Sequence, residues 1–154
     1  MTPSSDPVMR TLSKISCTAG TGTGAHGHTV VRLAQHAWFG DRGRYVAQKV
    51  ADLLRAGCVV RLIPGVSVGE GVQDTLRQAG AEIAQVRHPS ARTHQKVLLV
   101  SGGFDGNPRA EVVFTGSHNY TDRALTCDDT VLRVAGSAAY DQYVANFRDI
   151  WFHG

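Results

Sequence analysis

A chain of 154 residues with 42% hydrophobic and 19% charged side chains has the size and composition of one globular domain, which excludes disordered and coiled-coil classes. The formal net charge of +3 favours phosphate-bearing partners, yet the basic residues are scattered, so no polybasic tail marks a nucleic acid or an anionic membrane. Apolar runs such as residues 97–100 are far too short to span a bilayer, so no transmembrane segment is expected; the first residues lack the cationic and apolar blocks of an export signal, and the compartment stays open.

Asp6-Pro7 is a helix start, and Val8, Leu12 and Ile15 follow at helical spacing, which predicts a short helix ending before Cys17. Residues 18–27, rich in Gly and Thr, read as a flexible connector. Residues 29–35 have strand character, and the cluster Gly40-Asp41-Arg42-Gly43 breaks the chain before a helix over about 44–56 that Gly57 stops. A strand over 58–63 ends at Pro64-Gly65 and completes a βαβ unit. A helix over 68–79 and a strand over 82–86 follow. Residues 94–101 and 110–115 read as strands joined by a loop over 102–109, and 130–135 as another strand. Ala139, Tyr143, Phe147, Ile150 and Trp151 mark the apolar face of a closing helix. The expected fold is α/β, a mixed, mostly parallel sheet flanked by helices on both faces. Residues 1–28 are expected to form an N-terminal helix and linker, and 29–154 the domain that carries the chemistry.

Three cysteines, Cys17, Cys58 and Cys127, show no CxxC spacing, so neither a zinc knuckle nor a thioredoxin-type motif is supported. Two readings stand: small buried residues, or, in an exported chain, a bridge between Cys17 and Cys58 that leaves Cys127 over.

One strand carries His94-Gln95-Lys96, and side chains alternate along a strand, so His94 and Lys96 project from the same face. An imidazole can attack phosphorus while the ammonium beside it holds the phosphoryl oxygens. Immediately after the next strand comes Gly116-Ser117-His118-Asn119. Ser117 and Asn119 can hydrogen-bond phosphate oxygens, and Gly116 lets the backbone turn close to a ligand. An HxK on a strand, then a loop, a strand and GSxN is a specific combination.

That combination resembles the paired signature of the phospholipase D superfamily, HxKxxxxD followed by GSxN. The likeness runs from about residue 29 to the end and is nearest the second half of bacterial two-copy members. The resemblance implies a phosphodiesterase working through a phosphohistidine, on a phospholipid or a nucleic acid, without cofactor or metal. His94 would be the nucleophile, Lys96 and Asn119 would bind the phosphoryl group with Ser117 assisting, and Asp129 would orient the histidine. Asp128 stands as the alternative orienter.

Two departures matter. Ser101 occupies the place of the motif aspartate, with Asp105 in the next loop as a candidate substitute. The chain also has one HxK where the reaction uses two histidines; His88, followed by Pro-Ser, and His26, followed by Gly-His, begin no second motif. The missing half is expected from an identical chain, as in a homodimer, or from a separate polypeptide. The rival expectation is a catalytically degenerate phosphate-binding half.

Gly22-Thr-Gly24-Ala-His-Gly27 matches GxGxxG but precedes the first strand of the domain, so the dinucleotide-binding context is missing. His26 and His28 lack the carboxylate or cysteine companions of a metal site. His118 and Tyr120 read either as residues of the substrate entrance or as ordinary loop residues. Trp38 and Phe39 read as core aromatics before site aromatics.

Overall fold

Amphipathic helices alternating with apolar strands can bury their apolar stripes only by packing helices on a sheet, and that is the observed arrangement. The computed structural model describes residues 3–85 and 93–154. The elements are α1 (Pro7–Ser13), β1 (Ile15–Ser16), β2 (Val30–Trp38), α2 (Gly40–Arg55), β3 (Val59–Val68), α3 (Glu70–Gln78), β4 (Glu82–Ile83), β5 (Lys96–Phe104), β6 (Asn107–Gly116), β7 (Val131–Ala135) and α4 (Ser137–His153). Seven strands form one sheet in the order β4-β3-β2-β5-β6-β7, with β1 added against β5. Strands β1, β2, β3, β4 and β6 run one way, and β5 and β7 run against them. The sheet is mixed as expected, and its directly paired parallel strands lie together at the β4-β3-β2 side.

Side-chain alternation divides the core in two. Val31 and Leu33 of β2, with Leu98 and Val100 of β5, face α1, α2 and α3. Ala34, Val97 and Leu99 face α4, against Tyr140, Phe147 and Trp151. Central β5 is buried along its whole length, as a strand covered on both faces must be. No helix among the described residues is long and apolar enough to cross a membrane.

Several boundaries differ from the sequence expectation, each for a local reason. Ile15 leaves the helical spacing to pair with Phe104 in β1. Helix α2 begins at Gly40 instead of near residue 44, because the Asp122 carboxylate accepts hydrogen bonds from the Asp41 and Arg42 N–H groups and caps it. Strand β3 runs through Pro64-Gly65; β4 pairs only with Arg61 and Leu62, so Pro64 lies on an edge where its missing N–H costs nothing. Val68 ends that strand instead of opening the next helix. The loop expected over 102–109 is a two-residue turn, Asp105-Gly106, with positive φ at both positions (51° and 82°). Of the strand expected over 82–86, Val86 lies outside the described residues. Residues 18–28 close on themselves through an isolated bridge between Thr18 and His28, and Gly24 N–H ties them to the sheet by donating to Ser101 Oγ at 2.9 Å.

Helix α1 is tied in by charge as well as by Val8 and Leu12, which sit in the core. Asp6 caps it, accepting from Val8 N–H at 2.8 Å. The same carboxylate receives Arg42 Nε at 2.7 Å, Arg42 Nη2 at 3.0 Å and the Tyr45 hydroxyl at 2.7 Å. Burial alone would raise the Asp6 pKa, but the bonds from Arg42, Tyr45 and Val8 outweigh it and hold the carboxyl below its usual 3.8. A disulfide joins Cys17 to Cys58 and leaves Cys127 free and exposed.

Asp6→Asn leaves a buried guanidinium without its counter-charge and is expected to cost about 3–5 kcal/mol in urea unfolding. In the native chain the Asp6 contribution is complete above the unfolded carboxyl pKa near 3.8 and is lost as pH falls through the lower folded value; the variant lacks that acid limb. Thiol titration in denaturant without reductant is expected to find one free thiol per chain. Reduction opens a loop with a sequence separation of 41, a loss of about 4 kcal/mol on the chain-entropy model.

Candidate active site

Sheet register brings the polar motifs together. Gln35 pairs with Lys96 and Val97 with Thr115, so the end of β2, the start of β5 and the end of β6 lie side by side. They line an open cleft of about 720 Å³ that holds His36, His94, Lys96, Ser117 and Asn119, with Tyr143 of α4 on its wall.

Lys96 opens β5 and is buried to 8% exposure, whereas His94 lies just before the strand and is exposed. The Lys96 ammonium donates to the His94 carbonyl at 3.1 Å and stands 3.4 Å from His94 Nδ1. On the other side the His36 ring packs on His94 with centroids 4.1 Å apart, while His36 N–H donates to Gln95 O at 2.8 Å. The positive charge of Lys96, then the electrostatic influence of the neighbouring His36 ring, pushes the His94 pKa below the ordinary imidazole value of 6.5. The shift favours the unprotonated imidazole, the form that can attack. Burial lowers the Lys96 pKa, with the Asp129 carboxylate opposing it.

The GSxN loop is set by a close backbone approach. A Cβ at Gly116 would lie 1.8 Å from Thr130 O, so only glycine fits there. Ser117 N–H donates to that oxygen at 3.0 Å, and Ser117 Oγ accepts from Thr130 N–H at 3.0 Å while donating to Asp129 Oδ1 at 2.7 Å. Asn119 borders the cleft, and its carbonyl accepts from Arg42 Nη1 at 2.8 Å from behind. Alternation along the loop turns His118 the other way. It is buried against Tyr120, centroids 5.8 Å apart, and borders a small pocket with Val8 and Leu98, not the cleft. Burial, then the charge of Arg42, lowers the His118 pKa.

Asp129 is thus held by Ser117 and lies within electrostatic reach of Lys96; among the described residues no hydrogen bond joins it to His94. Asp128 is exposed. Ser101, in place of the motif aspartate, is buried and bonded to Gly24 N–H. Asp105 does not reach the cleft: it sits in the turn beyond the far end of β5, about 30 Å from Lys96 at strand rise, paired with Lys14 at 3.2 Å. Trp38 is fully buried against Tyr120, and Phe39 is half exposed. His88 lies outside the described residues. Two contributors were missed in the sequence. His36 sits at the C-terminal end of a strand, where α/β sheets place ligand-binding side chains, and that position was its signal. Arg42, read only as part of a chain break, shows no local signal, since its partners Asp6 and Asn119 are distant in sequence.

A family model described as cardiolipin synthase, PLD-like domain, matches residues 28–151. The chain belongs to the PLD-like domain family. The solved structure of Nuc, a phospholipase D family member from Salmonella typhimurium, superposes on this PLD-like domain with a TM-score of 0.65 at 17% identity, over 99% of this chain and 91% of that one. Polyphosphate kinase from Porphyromonas gingivalis aligns with a TM-score of 0.60 at 15% identity, over 94% of this chain and 23% of that one. At such identities the likeness is one of fold. No curated protein matches the PLD-like domain in sequence. Membership supports phosphodiesterase-type chemistry.

By NMR titration the His94 ring is expected to protonate below pH 6.5, and Lys96→Met to bring its pKa back up by removing the leading cause of the depression. An unchanged value in the variant refutes this account of the cleft.

Proposed function

We propose that this PLD-like domain cleaves or transfers across a phosphodiester bond through a phosphohistidine, with a second copy completing the site. The observation that carries this reading is the meeting of His94, Lys96, Ser117 and Asn119 around one open cleft, with the Lys96 ammonium lowering the pKa of His94 beside it. Unprotonated His94 attacks phosphorus, the bond to the leaving oxygen breaks, and that oxygen takes a proton from the second copy's His94, which enters the step as the imidazolium. Water, deprotonated by that same second histidine, then attacks phosphorus; the P–N bond breaks, and His94 is restored with release of the phosphomonoester. Lys96, Ser117 and Asn119 hold the charge on the phosphoryl oxygens, Gly116 admits the close backbone approach, and Asp129 positions the loop through Ser117. The family description names cardiolipin synthase, which favours a phospholipid over a nucleic acid.

A second reading, a phosphate-binding half without turnover, is favoured by Ser101 and by the bond that ties Asp129 to Ser117 and not to a histidine.

His94→Ala is expected to lower kcat/KM on a chromogenic phosphodiester at least about 10³-fold, with no acid-labile phosphoenzyme formed. The native chain is expected to lose specific activity on dilution as the second copy dissociates. A strictly monomeric native chain without turnover on phospholipid, oligonucleotide or chromogenic diester favours the binding half instead.

A further inference from the structure

Arginines that look scattered in the sequence converge on the α4 side of the sheet. Arg32 of β2 and Arg61 of β3 are direct partners in the parallel register, so their side chains leave the same face next to one another. Arg148 of α4 lines the same cavity, of about 400 Å³, together with Glu82. Glu82 answers Arg61, with Nε to Oε2 at 3.2 Å. Three guanidiniums therefore meet one carboxylate, a surplus of two positive charges.

Arg32 is the telling member. It is half-buried, and its partner is a neutral one, the Tyr140 hydroxyl at 2.7 Å. Burial, together with the charges of Arg61 and Arg148, works against its protonated form. The sequence stretches outside the described residues, 1–2 and 86–92, contain no Asp or Glu that could answer it. Like charges side by side on a sheet are destabilising, and a half-buried guanidinium without a carboxylate adds a desolvation cost. An anion in the cavity would remove both penalties. Guanidinium forks match phosphate oxygens in particular. The other wall is apolar, made of Val144, Phe147 and Trp151, with Phe152 about half exposed at its rim. A phosphate next to an apolar group is the chemistry of a phospholipid headgroup.

We propose that Arg32, Arg61 and Arg148 form a phosphate site outside the catalytic cleft that takes the phosphate headgroup of an anionic lipid. Arg32 lies four residues before His36 on β2, about 13 Å along the strand, so one lipid surface can reach both places. The site does not depend on the catalytic reading, because its readout is binding.

The test uses the full chain carrying Lys96→Ala, which takes the ammonium out of the catalytic cleft. Inorganic phosphate is expected to move the side-chain Nε–H NMR signals of Arg32 and Arg61. Vesicles of equimolar phosphatidic acid and phosphatidylcholine are expected to change Trp151 fluorescence, whereas pure phosphatidylcholine vesicles are not; Trp38, the other tryptophan, is fully buried. Arg61→Gln and Arg148→Glu are expected to weaken vesicle binding about tenfold each, the worth of one charge-assisted hydrogen bond. Arg148 is exposed on a helix surface, so its variant keeps the fold and the test holds even where Arg32 variants do not fold. Phosphate-induced shifts confined to the catalytic cleft, or unchanged vesicle affinity in both variants, overturn the site. Phosphate binding without vesicle binding, or tighter binding of a single-stranded oligonucleotide, overturns the lipid occupant.

Discussion

Everything about the cleft depends on how Arg42 spends its hydrogen bonds. A guanidinium at 3% exposure is tolerable only if its donors are satisfied, and here they are used on two separate parts of the chain. Two go to the Asp6 carboxylate that caps α1, and others go to the carbonyls of Asn119 and Thr121. Asp122, in turn, caps the first turn of α2 on which Arg42 sits. The loop bearing Ser117 and Asn119 is therefore held from behind by Arg42 as well as by its own backbone bonds to Thr130 and Ala37, and α1 and α2 share the same anchor.

Strand direction then decides where chemistry can occur. Because β5 runs against β2 and β6, the start of the first meets the ends of the other two, and three strand termini open onto one space. Among the described residues, helices α1, α2 and α3 close one face of the sheet while α4 alone covers the other. The thinner cover leaves Arg32 and Arg61 facing a cavity instead of a core.

Legibility in the sequence followed the range of the physics. His94, Lys96, Ser117 and Asn119 were readable because their spacing is set by strand alternation and a tight loop, both local rules. The apolar faces of α2 and α4 were readable for the same reason. The true start of α2 was not, since its cap comes from Asp122, about eighty positions later. His118 was left open between the substrate entrance and an ordinary loop position, because its surroundings, Tyr120, Val8 and Leu98, are set by elements distant in sequence. The Asp105-Gly106 pair carries a strong local turn signal that the longer loop expected over 102–109 does not use, and the turn puts Asp105 beyond the far end of β5, against Lys14 and away from the cleft. The joining of Arg32, Arg61 and Arg148 needed the sheet register and the docking of α4, which no local pattern encodes.

The bridge between Cys17 and Cys58 also changes the connectivity of the polypeptide. All of β2 and α2, and with them His36 and Arg42, lie inside a covalent ring, whereas His94, Lys96 and the GSxN loop lie on the tail outside it. A single peptide-bond break between these cysteines would leave one covalent molecule, with both new ends tethered and the two parts of the cleft still joined. A break between Cys58 and His94 would divide the chain, and only packing would then keep His36 beside His94.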